Sequence, residues 1–183
     1  MVKPKVIVIV GMPGAGKGLV SAVAQSHRLP VLVCGDVIRE ETERRGLEPT
    51  RSNMAEVMLA IRREEGPAVV AERLIPIIES SASPIVVVEG ARSMAEVGAL
   101  RKRHSVAILG IHASPRTRYE RLRARGRTDD PKSWEEFLER DLRELGVGVG
   151  DAIALADEML INENEEKALE AASEAVLPKM TRE

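Results

Sequence analysis

The chain has 183 residues, with 27 Lys and Arg against 29 Asp and Glu and a formal net charge of −2. That length fits one domain with a sizeable core, and that charge leaves no basic footprint for bulk nucleic-acid binding. A single cysteine, Cys34, excludes an internal disulfide and fits a reducing, cytoplasmic setting, and no apolar run approaches the ~20 residues of a membrane span.

Lys3 and Lys5 ahead of an apolar run imitate a short signal peptide, but the Gly-Met-Pro-Gly that follows argues against one. Val6 to Val10 are uninterrupted β-branched residues, the pattern of a strand buried on both faces of a parallel sheet. The run breaks into Gly11-Met12-Pro13-Gly14-Ala15-Gly16-Lys17, and Leu19 to Ser26 then reads as a helix. Strand, glycine loop, lysine and helix come in the order of a P-loop. Its glycines let successive N–H groups converge on one anion, and the helix points its positive end at the same place. Lys17 adds a charge where the β- and γ-phosphates of ATP would lie. The general motif has a Mg²⁺-binding hydroxyl after the lysine. Here Gly18 and Leu19 follow instead, so Mg²⁺ is expected to rely on water and phosphate oxygens.

Val31 to Cys34 reads as a second short buried strand running into Gly35-Asp36-Val37-Ile38-Arg39. A polar residue at the carboxyl end of a parallel strand lies on the ligand side of an open sheet. Asp36 is also placed to cap a helix, and the two roles are compatible. Residues 37 to 81 read as helices. Asn53 with Glu56 suggests a capping box. Met54, Val57, Met58 and Ile61 form an apolar stripe, and a further helix, with Pro67 in its first turn, carries Val70, Leu74, Ile77 and Ile78 inward. Arg62 to Glu65 read as a solvated face.

Ile85 to Glu89 is a third buried strand ending in Glu89-Gly90-Ala91-Arg92. An acid at the tip of an apolar strand is the Walker-B arrangement, with its carboxylate near Mg²⁺ and its waters; the alternative is a strand-end acid paired with a nearby base. Ser93 caps a helix to Arg103, and His104 reads as a surface turn residue. Val106 to Ile111 is the fourth strand. Residues 116 to 127 are half arginine, and so many like charges need anions or acids around them. Pro131 opens a helix with Trp134, Phe137, Leu138 and Leu142 on one side. Gly146 to Gly150 reads as a flexible link, Met159 to Ile161 as a fifth strand, and Leu169, Ala172 and Val176 as the inner face of a last helix, frayed after Leu177.

Gly11-Met12-Pro13-Gly14-Ala15-Gly16-Lys17-Gly18 resembles the P-loop of adenylate kinases and other nucleoside monophosphate kinases. Gly35 to Arg39 is similar to the segment with which those enzymes begin their monophosphate-binding helices, and Glu89 to Arg92 to their third-strand end, one residue shorter. Dephospho-CoA kinases carry an aspartate after the second strand as base for a sugar hydroxyl, a role open to Asp36. Their ending near adenine is similar to Ala156 to Asn162. Nearly the whole chain thus resembles a largely archaeal family of P-loop kinases related to both. The resemblance implies an α/β fold: a three-layer α/β/α P-loop domain with a five-stranded parallel sheet in order 2-3-1-4-5. The core would span 1–36 and 83–177, an acceptor-binding helical part about 37–81, and a short lid about 121–131.

The activity it implies is ATP- and Mg²⁺-dependent phosphoryl transfer to a nucleotide, AMP first. Transfer to a sugar hydroxyl, and a nucleotide-binding regulator with little turnover, stay as alternatives. Gly11, Gly14, Ala15, Gly16, Lys17, Gly18 and Leu19 would bind ATP phosphates; Asp36, Arg39, Gly90 and Arg92 the acceptor; Glu89 the metal through water. Lys17, Arg125, Arg127 and Arg140 would be catalytic, with Asp129 and Asp130 resembling the acids that follow the lid. Expected partners are small nucleotides, with neither nucleic acid nor membrane.

Overall fold

A computed structural model describes residues 3–127 and 130–182. They form a five-stranded sheet, all pairs parallel, in the order β2-β3-β1-β4-β5. The strands are β1 (Lys5–Val10), β2 (Val31–Val33), β3 (Ile85–Glu89), β4 (Val106–His112) and β5 (Glu158–Ile161). β1 lies between β3 and β4, with Val8 level with both Val88 and Ile108. The period of two sends Val6, Val8, Val10, Val86, Val88 and Ile108 to one buried face and Ile7, Ile9, Val87, Leu109 and Ile111 to the other. Continuous β-branched runs suit a strand covered on both sides. β2 differs from its expectation: it is an edge strand, half-buried, and ends at Val33, while Cys34 begins the next helix.

The second face is covered by α1 (Lys17–Ser26) and α9 (Glu166–Arg182). The first is covered by α2 (Cys34–Arg44), α3 (Arg51–Glu65), α4 (Val69–Glu79), α5 (Met94–Arg101) and α8 (Val149–Ala154). The chain leaves β1 for β2 through α1 on one face and returns from β3 to β4 through α5 on the other. That reversal opens a crevice at the carboxyl ends of the central strands. α6 (Pro115–Arg125) and α7 (Trp134–Val147) pass beside it.

Several local expectations give way to tertiary contacts. α3 is capped by Thr50, whose Oγ1 accepts from Asn53 N–H, because Asn53 itself already lies inside the first turn. Arg62 is drawn out of its solvated face by Glu96, which has no exposed side-chain surface. Pro67 stands just ahead of α4, and Ile77 on that helix faces solvent. His104 is buried, its Nδ1 hydrogen-bonded to the Pro4 carbonyl at 2.9 Å. The expected glycine link is two helices: Gly146 stays in α7, and Gly148, at φ 109°, makes a left-handed corner into α8. α9 continues to Arg182 because Met180 is buried against the α1 face. Leu138 and Leu142 lie on the outside of α7, whereas Phe137 is fully buried. No described helix is long and apolar enough to cross a membrane.

Candidate functional site

The loop from Gly11 to Gly16 turns between β1 and α1 at the crevice. Its glycines are required by what they touch. A Cβ on Gly11 would lie 2.5 Å from the Ile111 carbonyl, and one on Gly14, at φ 81°, 2.7 Å from the Arg118 carbonyl. Gly16, at φ 106°, meets the Asn162 side-chain amide and Leu169. Asn162 Nδ2 donates to the Ala15 carbonyl at 2.8 Å, pinning the loop from the far end of β5. Lys17 folds back to donate to the Gly11 and Met12 carbonyls at 2.8 and 3.2 Å. Burial lowers its ammonium pKa to about 8. Gly18 is exposed in the first turn of α1, with open space beside it, while Leu19 packs toward the α1–α9 core.

Glu89, at the tip of β3, faces the same space. Ser21, one turn beyond Lys17 on α1, donates to Glu89 Oε2 at 2.6 Å. Among the described residues, the one hydroxyl on this carboxylate therefore comes from further along the helix than the usual P-loop position. Among the described residues no group of three His, Cys, Asp or Glu could enclose a metal. One carboxylate facing a phosphate site suits Mg²⁺, which keeps several waters and is completed by phosphate oxygens.

Asp36 and Arg39, exposed on the first turns of α2, line the cleft. Asp36 does not cap: α2 starts after Val33 with no side-chain cap. Cys34 beneath it is buried, and burial, reinforced by Glu96, pushes its thiol well above its ordinary pKa, so it is inert. Gly90, at φ 87°, and Arg92 follow Glu89 along the cleft wall.

Arg125 donates to Asp130 through Nε (2.9 Å) and Nη2 (2.5 Å), the Arg127 backbone N–H adds a third bond at 3.0 Å, and Arg140 Nη1 stands 3.7 Å away. Burial alone would raise the Asp130 carboxyl, but the Arg125 and Arg127 bonds and the charges of Arg125 and Arg140 hold its pKa below the ordinary value. Asp129 lies outside the described residues. Arg118 does not face the cleft. Buried, it forms a two-pronged pair with Asp141 and bonds the Ala113 and Pro13 carbonyls, bracing the P-loop against α7. Acids thus balance the arginine-rich helix, as its composition required.

The residues expected to bind ATP phosphates, acceptor or metal or to act in catalysis line one open cleft of about 740 Å³, except buried Ala15. The cleft continues into a recess of about 60 Å³ that the sequence did not reveal, between α2, α3 and α7. Arg51, Arg92, Arg140 and Arg143 line it, with Glu144 as its one acid. Arg92 Nε pairs with Glu144 at 2.8 Å, and Arg51 bridges to the Glu136 carboxylate and carbonyl. Arg143 Nε is buried with no hydrogen-bond partner among the described residues. Burial, with Arg51 and Arg92 close by, lowers the Arg143 pKa. Arg39 lines the wider cleft and not this recess.

An AAA domain family model matches residues 10–137. A UPF0200 protein of Hyperthermus butylicus is 48% identical over 96% of this chain and 95% of its own. The chain belongs to the UPF0200 family. A second family member, from Pyrococcus horikoshii, is 48% identical over 86% of this chain and 87% of its own. Among solved structures, the protein TT1252 from Thermus thermophilus matches with a TM-score of 0.68 at 26% identity, over 97% of this chain and 98% of that one. A gluconokinase from Sinorhizobium meliloti (TM-score 0.59, 18% identity, 100% and 96% covered) and a shikimate kinase from Aquifex aeolicus (0.55, 16%, 94% and 96%) share the fold. The UPF0200 chain thus has the P-loop kinase architecture.

Of the residues sequence reasoning missed, Arg143 and Glu144 had a legible signal. They fall three and four positions after Arg140, on one helix face. Arg51 and Ser21 had none, because each acts across a gap of tens of residues; Asn162 stood in the resemblance, but its bond to the loop at Ala15 was not legible.

Proposed function

We propose that this protein is a Mg²⁺-dependent kinase that transfers the γ-phosphoryl group of ATP to a small phosphorylated acceptor, a nucleoside monophosphate such as AMP first. The observation that carries this reading is the arginine-lined recess opening on the same cleft as the P-loop. Lys17 and the loop amides are suited to the ATP phosphates, and Arg125, Arg127 and Arg140 to charge on the group in transfer. The recess is too small for a nucleoside but suits one phosphate, held by Arg92 and Arg143. The acceptor's remainder would lie in the cleft along Gly90, Asp36 and Arg39. A phosphate nucleophile is already anionic and needs little general-base help. Mg²⁺, beside Glu89, would supply charge neutralisation.

A second reading rests on Asp36, an exposed carboxylate in the cleft wall: transfer to a sugar hydroxyl, with Asp36 as base. Steady-state kinetics with ATP against AMP and dephospho-CoA separates the two. On the first reading, Arg92→Ala and Arg143→Ala raise the acceptor KM by about 10- to 100-fold, the worth of a charged hydrogen bond, with the ATP KM unchanged. Asp36→Asn keeps most of kcat. If Asp36→Asn abolishes turnover with both substrates bound, and dephospho-CoA reacts faster than AMP, the hydroxyl reading holds. Tight ATP binding without turnover on either acceptor returns the protein to nucleotide sensing.

A further inference from the structure

α7 turns two different faces outward from its axis. Phe137, Asp141 and Glu144 are buried, and Arg140 and Arg143 line the recess. Trp134, Leu138, Leu142 and Leu145 follow at spacings of four, four and three, and are 37%, 42%, 69% and 49% exposed. A solvated helix face carries charge at such positions. Spacings of three and four are instead those of a seam between two helices.

A second apolar group lies at the sheet edge. Met159 pairs with Gly110 and packs over it, which puts Met159 and Ile161 on the sheet face that α8 covers. Both remain exposed, as does Leu155 at the end of α8, itself packed against α7. Among the described residues no strand lies beside the outer edge of β5, and its sequence, Glu158-Met159-Leu160-Ile161, has one charge to discourage pairing.

We propose that this face, centred on α7, is the interface of a two-fold symmetric homodimer. The seven side chains together expose on the order of 600 Å², as large as the largest apolar patch of a typical monomer. Two copies bury about 1,200 Å², the lower bound of a standard specific interface. A two-fold axis needs a surface complementary to itself, and the α7 stripe supplies one. Antiparallel pairing sets Trp134 of each chain against Leu145 of the other, and Leu138 against Leu142. Gly146, with open space where a Cβ would stand, lets the helices approach. Arg123 lies over the Tyr119 ring, which packs edge-on against Trp134. The same pairing brings Arg123 to the negative end of the other chain's α7. The helix that carries the recess arginines is then braced from behind.

The test is sedimentation equilibrium of the full chain from about 1 to 100 µM, with Leu142→Glu, Leu145→Arg and, as a control, Ile77→Glu on α4. Leu142, Leu145 and Ile77 all face solvent in a single chain, so none of these substitutions strains the fold, which circular dichroism and thermal melting check. A dimeric native chain, an unchanged Ile77→Glu control and a rise of at least 100-fold in the dissociation constant for both α7 variants are the expected result. A native chain monomeric at 100 µM, or a dimer that survives both α7 substitutions, overturns the proposal.

Discussion

The two sides of the cleft are built in different ways. The phosphate loop is one contiguous stretch, and its shape follows from backbone sterics: Gly11, Gly14 and Gly16 each meet a neighbour where a side chain would begin. The opposite wall draws residues from α2, α3, the end of β3 and α7, and ion pairs hold it together. Glu41, buried on α2, accepts from Arg44, Arg45 and Arg73, and Arg45 and Arg73 reach on to Glu64 and Glu65 of α3. The Arg44 bond, ahead of those from Arg45 and Arg73, holds the Glu41 carboxyl far below its ordinary pKa. Glu96 joins Arg62 of α3 at 2.7 Å to the Arg92 backbone N–H at 2.6 Å. The loop's shape is fixed locally by neighbours in the chain. On the proposed function, the acceptor wall is assembled from distant charges, each of which can change separately.

This contrast can be broken from either side. The largest expected effect is on the loop: Lys17→Ala should lower turnover by about 10³-fold, as loss of an electrostatic clamp does. The melting temperature should stay close to that of the parent chain, because Lys17 bonds only loop carbonyls. Arg62→Ala should act the other way. Leaving Glu96 buried and uncompensated costs about 3 kcal/mol of stability by denaturant unfolding, and acceptor affinity should fall through Arg92 while ATP affinity survives. Equal loss on both sides of the cleft would mean that the walls are not independent.

The smallest effect sharpens the comparison by charge. The Lys17 pKa is about 8 in the unliganded loop, and its ordinary value is 10.5. Triphosphate binding stabilises the ammonium and raises that pKa. At pH 8.5, where most Lys17 is neutral, ATP binding should take up a fraction of a proton; at pH 6.5, where the lysine is already charged, Lys17 contributes none. Calorimetry in buffers of different ionisation enthalpy measures the difference, and it should vanish in Lys17→Met.

What the sequence determined by itself is the part governed by local periodicity. β-branched runs marked the central strands β1 and β3, Gly11 to Lys17 marked the phosphate loop, and Glu89 marked the strand tip, because a pattern of two and a glycine's freedom are properties of neighbours in the chain. The resemblance carried the strand order, which spacing does not contain. Tertiary structure alone decided which charges are solvated and which are buried. Arg62 read as part of a solvated face until Glu96, 34 residues away, takes it inside, and the acid that the arginine-rich helix needed for Arg118 is Asp141, 23 residues away. Leu138 and Leu142 read as sharing one side with Phe137, until the register of α7 buries Phe137 and leaves both leucines exposed. Arg51 and Arg143 meet only when α3 closes on α7. Pairing energies that act across space leave no periodic trace in the sequence, so the arginine-lined wall had to be read from the fold.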